Sequence, residues 1–207
     1  MANNIYISDE LLAAYLEGNT NAEETLVVLN ALKESPDLRE ALDISIQLEE
    51  EEPILQIAAE GGRNLCDVQC ETFILRQRGI DCTVEELLEV AKEKHWIKKE
   101  GSPLNCIGNL IEHMGLKISR IYQASIEDLQ NALRKGHGII VAVDCDKLYP
   151  ERPDEEDATN HAIVVRGIDG ENVTIYDPEE TSEVDIKLPL FMSAWHESQY
   201  YMVSVTE

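Results

Sequence analysis

Apolar positions recur at helical spacing through the first part of the chain. A first helix is predicted over residues 8–16, where four apolar side chains share one face. Asn21 is a favourable N-cap for a second helix, and Ser35 begins a third one. We expect these short amphipathic helices to bury one another or to dock on a larger body.

A run of four glutamates, residues 49–52, interrupts this pattern and is followed by Pro53. Adjacent like charges repel one another, and a proline disfavours helix at the residue before it. We therefore place a domain boundary at this point. Residues 1–50 are predicted to form a small helical segment, and residues 54–207 are predicted to form the main domain.

In the main domain, helical signals come first and strand signals follow. Helices are predicted over residues 66–79, from a capping box at 83–86, over 102–115 and over 125–136. Strands are predicted over residues 116–121, 139–143, 162–168, 173–176 and 200–205. The pair Asp169-Gly170 is a strong hairpin signal between two of these strands. Helices followed by antiparallel strands predict an α+β fold.

The charge balance excludes some classes of partner. The chain has 17 basic and 41 acidic residues, a net charge of −24. No basic patch is available for nucleic acid or for an anionic membrane, so we expect neither as a partner. The start of the chain lacks a signal-peptide pattern, and we expect a cytoplasmic protein. The five cysteines have irregular spacings, so free thiols are expected, with no metal site and no cofactor.

Three residues have the types and the order that a cysteine nucleophile requires. Cys66 begins a predicted helix, where free N–H groups and the helix dipole stabilise a thiolate. His161 begins an apolar strand, and Asp177 ends the next strand, beyond the hairpin turn. Adjacent strands bring these two side chains close together, so that the carboxylate can fix the tautomer of the imidazole. Each residue alone has an ordinary structural explanation, but together they favour a catalytic triad.

The segments around these residues resemble a known family. Residues 66–75 with Gly79, residues 160–170 and Tyr176-Asp177-Pro178 are similar to the C39 and C39-like peptidases. These bacterial papain-like enzymes are best known for removing double-glycine leader peptides from bacteriocins. The resemblance covers about residues 54–207. It implies a papain-like cysteine peptidase, a hydrolase in which Cys66, His161 and Asp177 act on a peptide or protein substrate.

Two positions depart from the family pattern. Glu60 replaces the family's glutamine at the oxyanion position, and a carboxylate donates no hydrogen bond unless it is protonated. Gln56, Asn64 or Gln69 would be alternative donors. Asp67 replaces a glycine after the cysteine, and its charge would disfavour a nearby thiolate. A second hypothesis is therefore an inactive, peptide-binding or protein-interaction form of the fold, and a third is acyl transfer.

The first helices carry a fainter resemblance of their own. Leu12, Tyr15, Leu16 and Gly18 match the Leu-x-x-Tyr-Leu-x-Gly that often begins the helical segment of bacterial anti-sigma factors. The zinc-binding residues of that segment are absent. The resemblance implies a docking element, so a protein partner is expected to bind through the N-terminal helices.

Overall fold

The computed structural model describes residues 7–16, 20–35, 38, 63–98, 101–151, 160–180 and 182–206. The chain divides into two compact units, Met1–Pro53 and Ile54–Glu207. Across these described ranges, every helix is too short or too polar to span a membrane.

Among its described residues, the first unit has helices α1 (Asp9–Leu16) and α2 (Ala22–Glu34), as the sequence predicts. Asn21 caps α2, because its side chain accepts two backbone N–H groups, and Glu24 closes the capping box. A small apolar cluster includes Leu11, Leu12, Tyr15, Val28 and Leu32. The third helix, predicted from Ser35, falls almost wholly outside the described residues.

The described residues of the second unit form six α-helices. They are α3 (Cys66–Gln77), α4 (Val84–Glu93), α5 (Asn109–His113), α6 (Ile126–Arg134), α7 (Cys145–Leu148) and α8 (Leu188–His196). A 3-10 turn, Arg63–Leu65, leads directly into α3. Capping boxes at Thr83 and Ser125 start α4 and α6, as predicted.

The strands of this unit form one six-stranded antiparallel sheet with the order β1-β6-β2-β3-β4-β5. They are β1 (Ile118–Ile121), β2 (Gly138–Asp144), β3 (Asn160–Ile168), β4 (Asn172–Asp177), β5 (Ser182–Lys187) and β6 (Met202–Val205). The sequence predicts all of these except β5. This edge strand has four exposed residues and buries only Ile186, so its apolar signal is weak.

Two apolar cores lie on opposite faces of the sheet. On β2, Ile140 and Ala142 belong to the core that contains α3, α4 and α5. Ile139, Val141 and Val143 belong to the core that contains α6 and α8. Because both faces of β2 are covered, its sequence is a continuous apolar run rather than an alternation. The unit is therefore a three-layer α+β structure.

One predicted helix is wrong in its extent. The sequence predicts a single helix over residues 102–115, but the structure has a 3-10 turn, Leu104–Cys106, followed by α5. Gly108 separates the two with a left-handed φ of +91°. A Cβ atom at this position would lie 2.7 Å from Ile118 Cδ1 and 2.9 Å from Val203 Cγ1. Both the backbone conformation and the close approach require glycine here.

We expect Gly108→Ala to lower the free energy of unfolding by about 3 kcal/mol, from left-handed strain and overpacking together. The matched control is Gly79→Ala, where φ is +78° but no atom lies within 4 Å of the new Cβ. The control should lose only about 1 kcal/mol, the strain contribution alone. Urea denaturation measures both. Equal losses would contradict the steric role given to Gly108.

Candidate active site

Two thiols on α3 contact the same residue of β3. The Ala162 N–H donates to Cys66 Sγ at 3.3 Å, and the Cys70 thiol donates to the Ala162 carbonyl at 3.3 Å. Cys70 is fully buried against the sheet, as predicted. Burial raises the pKa of the Cys70 thiol well above its ordinary value, so that thiol stays protonated and remains a donor. These contacts fix the start of α3 beside the residue that precedes Ala162, which is His161.

His161 and Asp177 are joined by a hydrogen bond of 2.9 Å between Nε2 and Oδ1. Both side chains are buried. Val164 of β3 pairs with Tyr176 of β4, so Asp177 lies one residue beyond that pair and His161 three residues beyond it on the facing strand. The hairpin thus holds the two side chains as diagonal neighbours, within reach of each other.

Asp177 accepts two further hydrogen bonds. The Tyr149 hydroxyl donates to Oδ2, and the Glu179 N–H donates to Oδ1 at 2.9 Å. Burial alone would raise the pKa of Asp177, but the hydrogen bonds from His161, Tyr149 and Glu179 outweigh it and hold that pKa below its usual value. The carboxylate is therefore ionised and fixed through both oxygens. Tyr149 follows α7 in a segment without a motif, so sequence reasoning missed it.

The Cys66 side chain lies beside His161 and interacts with it electrostatically. Because Nε2 is bonded to Asp177, the ring nitrogen left to face the sulfur is Nδ1. Burial lowers the pKa of His161, but its interactions with Asp177 and Cys66 raise it to about 10. The ring is thus an imidazolium at neutral pH. The structure brings the three predicted residues together: the thiol lies beside the imidazole, and the imidazole is hydrogen-bonded to the carboxylate.

Only some of the candidate residues for the oxyanion position lie in the described part of the chain. Glu60 and Gln56 lie outside the described residues. Asn64 lies in the 3-10 turn directly before Cys66. Gln69 lies one turn along α3, in the wall of a cavity of about 340 Å³ that Tyr176 also lines. The Gln69 Oε1 atom is buried without a hydrogen-bond partner among the described residues.

Asp67 is also buried. Its carboxyl is 4% exposed and contacts Ser102 and Glu71. Sequence reasoning considered this residue only as a charge next to the thiol. It missed Glu71, because a single glutamate on a helix carries no signal of its partners.

Within the described part of the chain, one group of side chains has metal-ligand geometry. One ligand atom from each of His161, Asp177 and Glu179 lies within 4.8 Å of the others. His161 and Asp177 are hydrogen-bonded to each other, and the Glu179 N–H bonds to the same carboxylate. These contacts account for the cluster as a hydrogen-bonded arrangement. All five cysteines are free thiols.

The family model described as Peptidase_C39 like family matches residues 43–203 of this chain. The chain belongs to the C39-like peptidase family. The match confirms the resemblance on which the sequence analysis relied. It begins before residue 54, within the predicted N-terminal segment.

Solved structures show the same fold at low sequence identity. A crystal structure from Bacillus anthracis, described as a C39-like peptidase, is 17% identical, with a TM-score of 0.55 over 70% of this chain and 89% of that one. The peptidase domain of Streptococcus ComA, a bifunctional ABC transporter involved in quorum sensing, is 16% identical, with a TM-score of 0.52 over 72% of this chain and 96% of that one. No curated protein matches the sequence significantly. The predicted papain-like α+β fold is confirmed.

The raised pKa of His161 predicts how stability depends on pH. Below about pH 6.5 the imidazole is protonated in both the folded and the unfolded chain, and its stabilising contribution is complete. As the pH rises from 6.5 towards 10, the unfolded chain loses this proton first, so the contribution is lost.

We expect this loss in urea unfolding of Cys66→Ala between pH 6 and 9. That variant retains the bond between His161 and Asp177. The free energy of unfolding should fall more steeply than in Cys66→Ala/His161→Gln, by at most about 1.4 kcal/mol per pH unit. Parallel curves for the two variants would contradict the ion pair between His161 and Asp177.

Proposed function

We propose that this protein is a cysteine peptidase that cleaves a peptide bond in a peptide or protein substrate. The observation that supports the proposal is the series of contacts from Cys66 through His161 to Asp177. In that series each group has the partner that its role requires. Membership of the C39-like family supports the same reaction class.

The reaction uses the two ring nitrogens of His161 differently. The Cys66 thiolate attacks the scissile carbonyl carbon, and the carbonyl π electrons move onto the oxygen. When the tetrahedral intermediate collapses, the C–N bond breaks and Nδ1–H of His161 gives its proton to the leaving amine. Water then attacks the thioester while Nδ1 takes a proton from it; the C–S bond breaks, which releases the carboxylic acid and restores the Cys66 thiolate beside the protonated His161.

Asp177 serves this cycle by orienting the ring. Its bond to Nε2 keeps Nδ1 directed at the sulfur and stabilises the imidazolium. The Tyr149 hydroxyl and the Glu179 N–H hold the carboxylate in place. We propose Tyr149 as a positioning residue, because its hydroxyl holds the carboxylate of Asp177, which in turn orients His161.

The net charge of −24 suits a cationic peptide substrate through long-range attraction. We propose a cytoplasmic location and a docking role for the N-terminal helices on the sequence patterns given above. The same thioester would also pass its acyl group to an amine in place of water. Product analysis with an added amine separates transfer from hydrolysis.

A second candidate function is peptide binding without cleavage, and Glu60 motivates it. A carboxylate at the oxyanion position would oppose the negative charge that develops on the substrate oxygen. The two candidates share the fold and the cleft, and they differ in whether Cys66 reacts with a carbonyl.

We expect a peptide chloromethyl ketone ending in Gly-Gly to label wild-type protein at Cys66, with loss of chloride and formation of a stable thioether, as read by intact-mass and peptide mass spectrometry. Cys66→Ala should abolish the label. The control is Cys145→Ala, which removes a more exposed thiol outside the triad and should retain the label. If the wild-type protein reacts no faster than Cys66→Ala, the peptidase proposal fails.

We further expect Glu60→Gln to raise the rate of this labelling at pH 7, by about tenfold to a hundredfold, because an amide can donate to the developing oxyanion. The matched control is Glu89→Gln, which changes an exposed glutamate of α4. An unchanged rate in Glu60→Gln would show that Glu60 does not occupy the oxyanion position.

A further inference from the structure

The turn of α3 that carries Cys66 also carries two buried acidic side chains. Asp67 is 4% exposed and Glu71 is fully buried. They are four residues apart, so they lie on one face of the helix. This face is distinct from the one on which Cys66 and Cys70 contact β3.

Glu71 ties α3 to the segment that precedes β1. Its Oε2 atom accepts the Ile111 N–H at 2.8 Å. Asp67, in the first turn of α3, interacts with Ser102 at the start of the same segment. The two carboxyl groups therefore anchor both ends of residues 102–111 to the helix.

One oxygen of each carboxyl group has no hydrogen-bond donor. Asp67 Oδ1 and Glu71 Oε1 are buried and accept no donor from the described residues. The two side chains are close enough to interact with each other. Two buried negative charges side by side repel strongly, and a proton held by one of the carboxyl groups removes this repulsion.

The surrounding charges do not neutralise the pair. Arg120 of β1 faces it, but its guanidinium is bonded to Glu112 at 3.0 Å and to Asn109. On α3 itself the neighbouring titratable groups are Cys66 and Cys70. The residues of α4 buried in this core are Leu87, Leu88 and Ala91. Burial raises the pKa of Asp67 to about 6 and that of Glu71 well above its ordinary range.

We propose that Asp67 and Glu71 form a proton-sharing carboxyl pair that fixes the first turn of α3, and with it Cys66, against residues 102–111, and that loss of the shared proton loosens this anchor. Both are positioning residues. The effect on Cys66 rests on the proposed peptidase function, whereas the effect on stability does not.

The first test measures urea unfolding midpoints from pH 5.5 to 8.5. Both folded pKa values lie above those of the unfolded chain, so wild-type stability should fall as the pH rises through this window. Glu71→Gln keeps an acceptor for the Ile111 N–H and supplies a permanent N–H donor for Asp67. The urea midpoint of this variant should therefore fall clearly less than that of the wild type over the same pH range. Glu89→Gln, an exposed control on α4, should follow the wild type. His161 titrates equally in all three proteins.

The second test measures labelling of Cys66 by the Gly-Gly electrophile across the same pH range. The rate ratio of Glu71→Gln to wild type should be near one at pH 5.5 and rise to about tenfold at pH 8.5, a loss typical of a slightly misplaced reacting group. Asp67→Asn also removes the shared proton, and it replaces Glu71→Gln if that variant does not fold.

The outcomes separate the two proposals. If the midpoints of Glu71→Gln and wild type fall in parallel, the proton-sharing pair is overturned. If the midpoints diverge while the rate ratio stays constant, the pair exists but its role in positioning Cys66 is overturned. If no protein is labelled at any pH, the peptidase function fails, and the midpoints still decide on the pair.

Discussion

The contact between α3 and one residue of β3 determines the rest of the site. Ala162 donates its N–H to Cys66 and accepts the thiol proton of Cys70 at its carbonyl. The two cysteines are one helical turn apart, so these bonds define both the rotation and the position of the helix on the strand. His161 is the residue before Ala162, and its distance from the thiol is therefore fixed by the backbone. A shift of α3 along β3 would separate sulfur and imidazole and would also disturb the apolar core that the helix shares with the strand.

The site combines burial with opposite charges. His161 is cationic because Asp177 is ionised, and Asp177 stays ionised because three donors surround it. Asp67 and Glu71 are buried on another face of α3, where too few hydrogen-bond donors reach their oxygens. Burial therefore raises the pKa of both carboxyl groups, and they retain a proton. The same low-polarity interior thus produces an ion pair where donors are sufficient and a shared proton where they are not.

Sequence reasoning succeeded where contacts are local. The Asp169-Gly170 turn and the strand patterns on either side of it were enough to predict that His161 and Asp177 would be neighbours. It failed where long-range packing decides the outcome. The break at Gly108 depends on Ile118 and Val203, and the partners of Asp177 and Glu71 lie on segments distant in sequence.

Two further elements were missed for different reasons. Edge strand β5 exposes most of its side chains and lacks an apolar pattern. Helix α8 has a proline in its first turn and no side-chain cap, and its residues are largely apolar, so no amphipathic stripe distinguishes it. The charge of the Asp67–Glu71 pair could not be predicted from the sequence either, because it depends on how completely the fold excludes water from both carboxyl groups.

The residues of the site lie far apart in the sequence, and this has a consequence while the chain is being synthesised. The bond between Ala162 and Cys66 joins residues 96 positions apart, and Asp177 is made later still. A growing chain exposes Cys66 long before the ribosome has added the residues that contact it. Until the hairpin carrying His161 and Asp177 has emerged and paired with the sheet, Cys66 lacks both its imidazole neighbour and the backbone N–H that donates to its sulfur. The environment of this thiol is therefore established only late in folding.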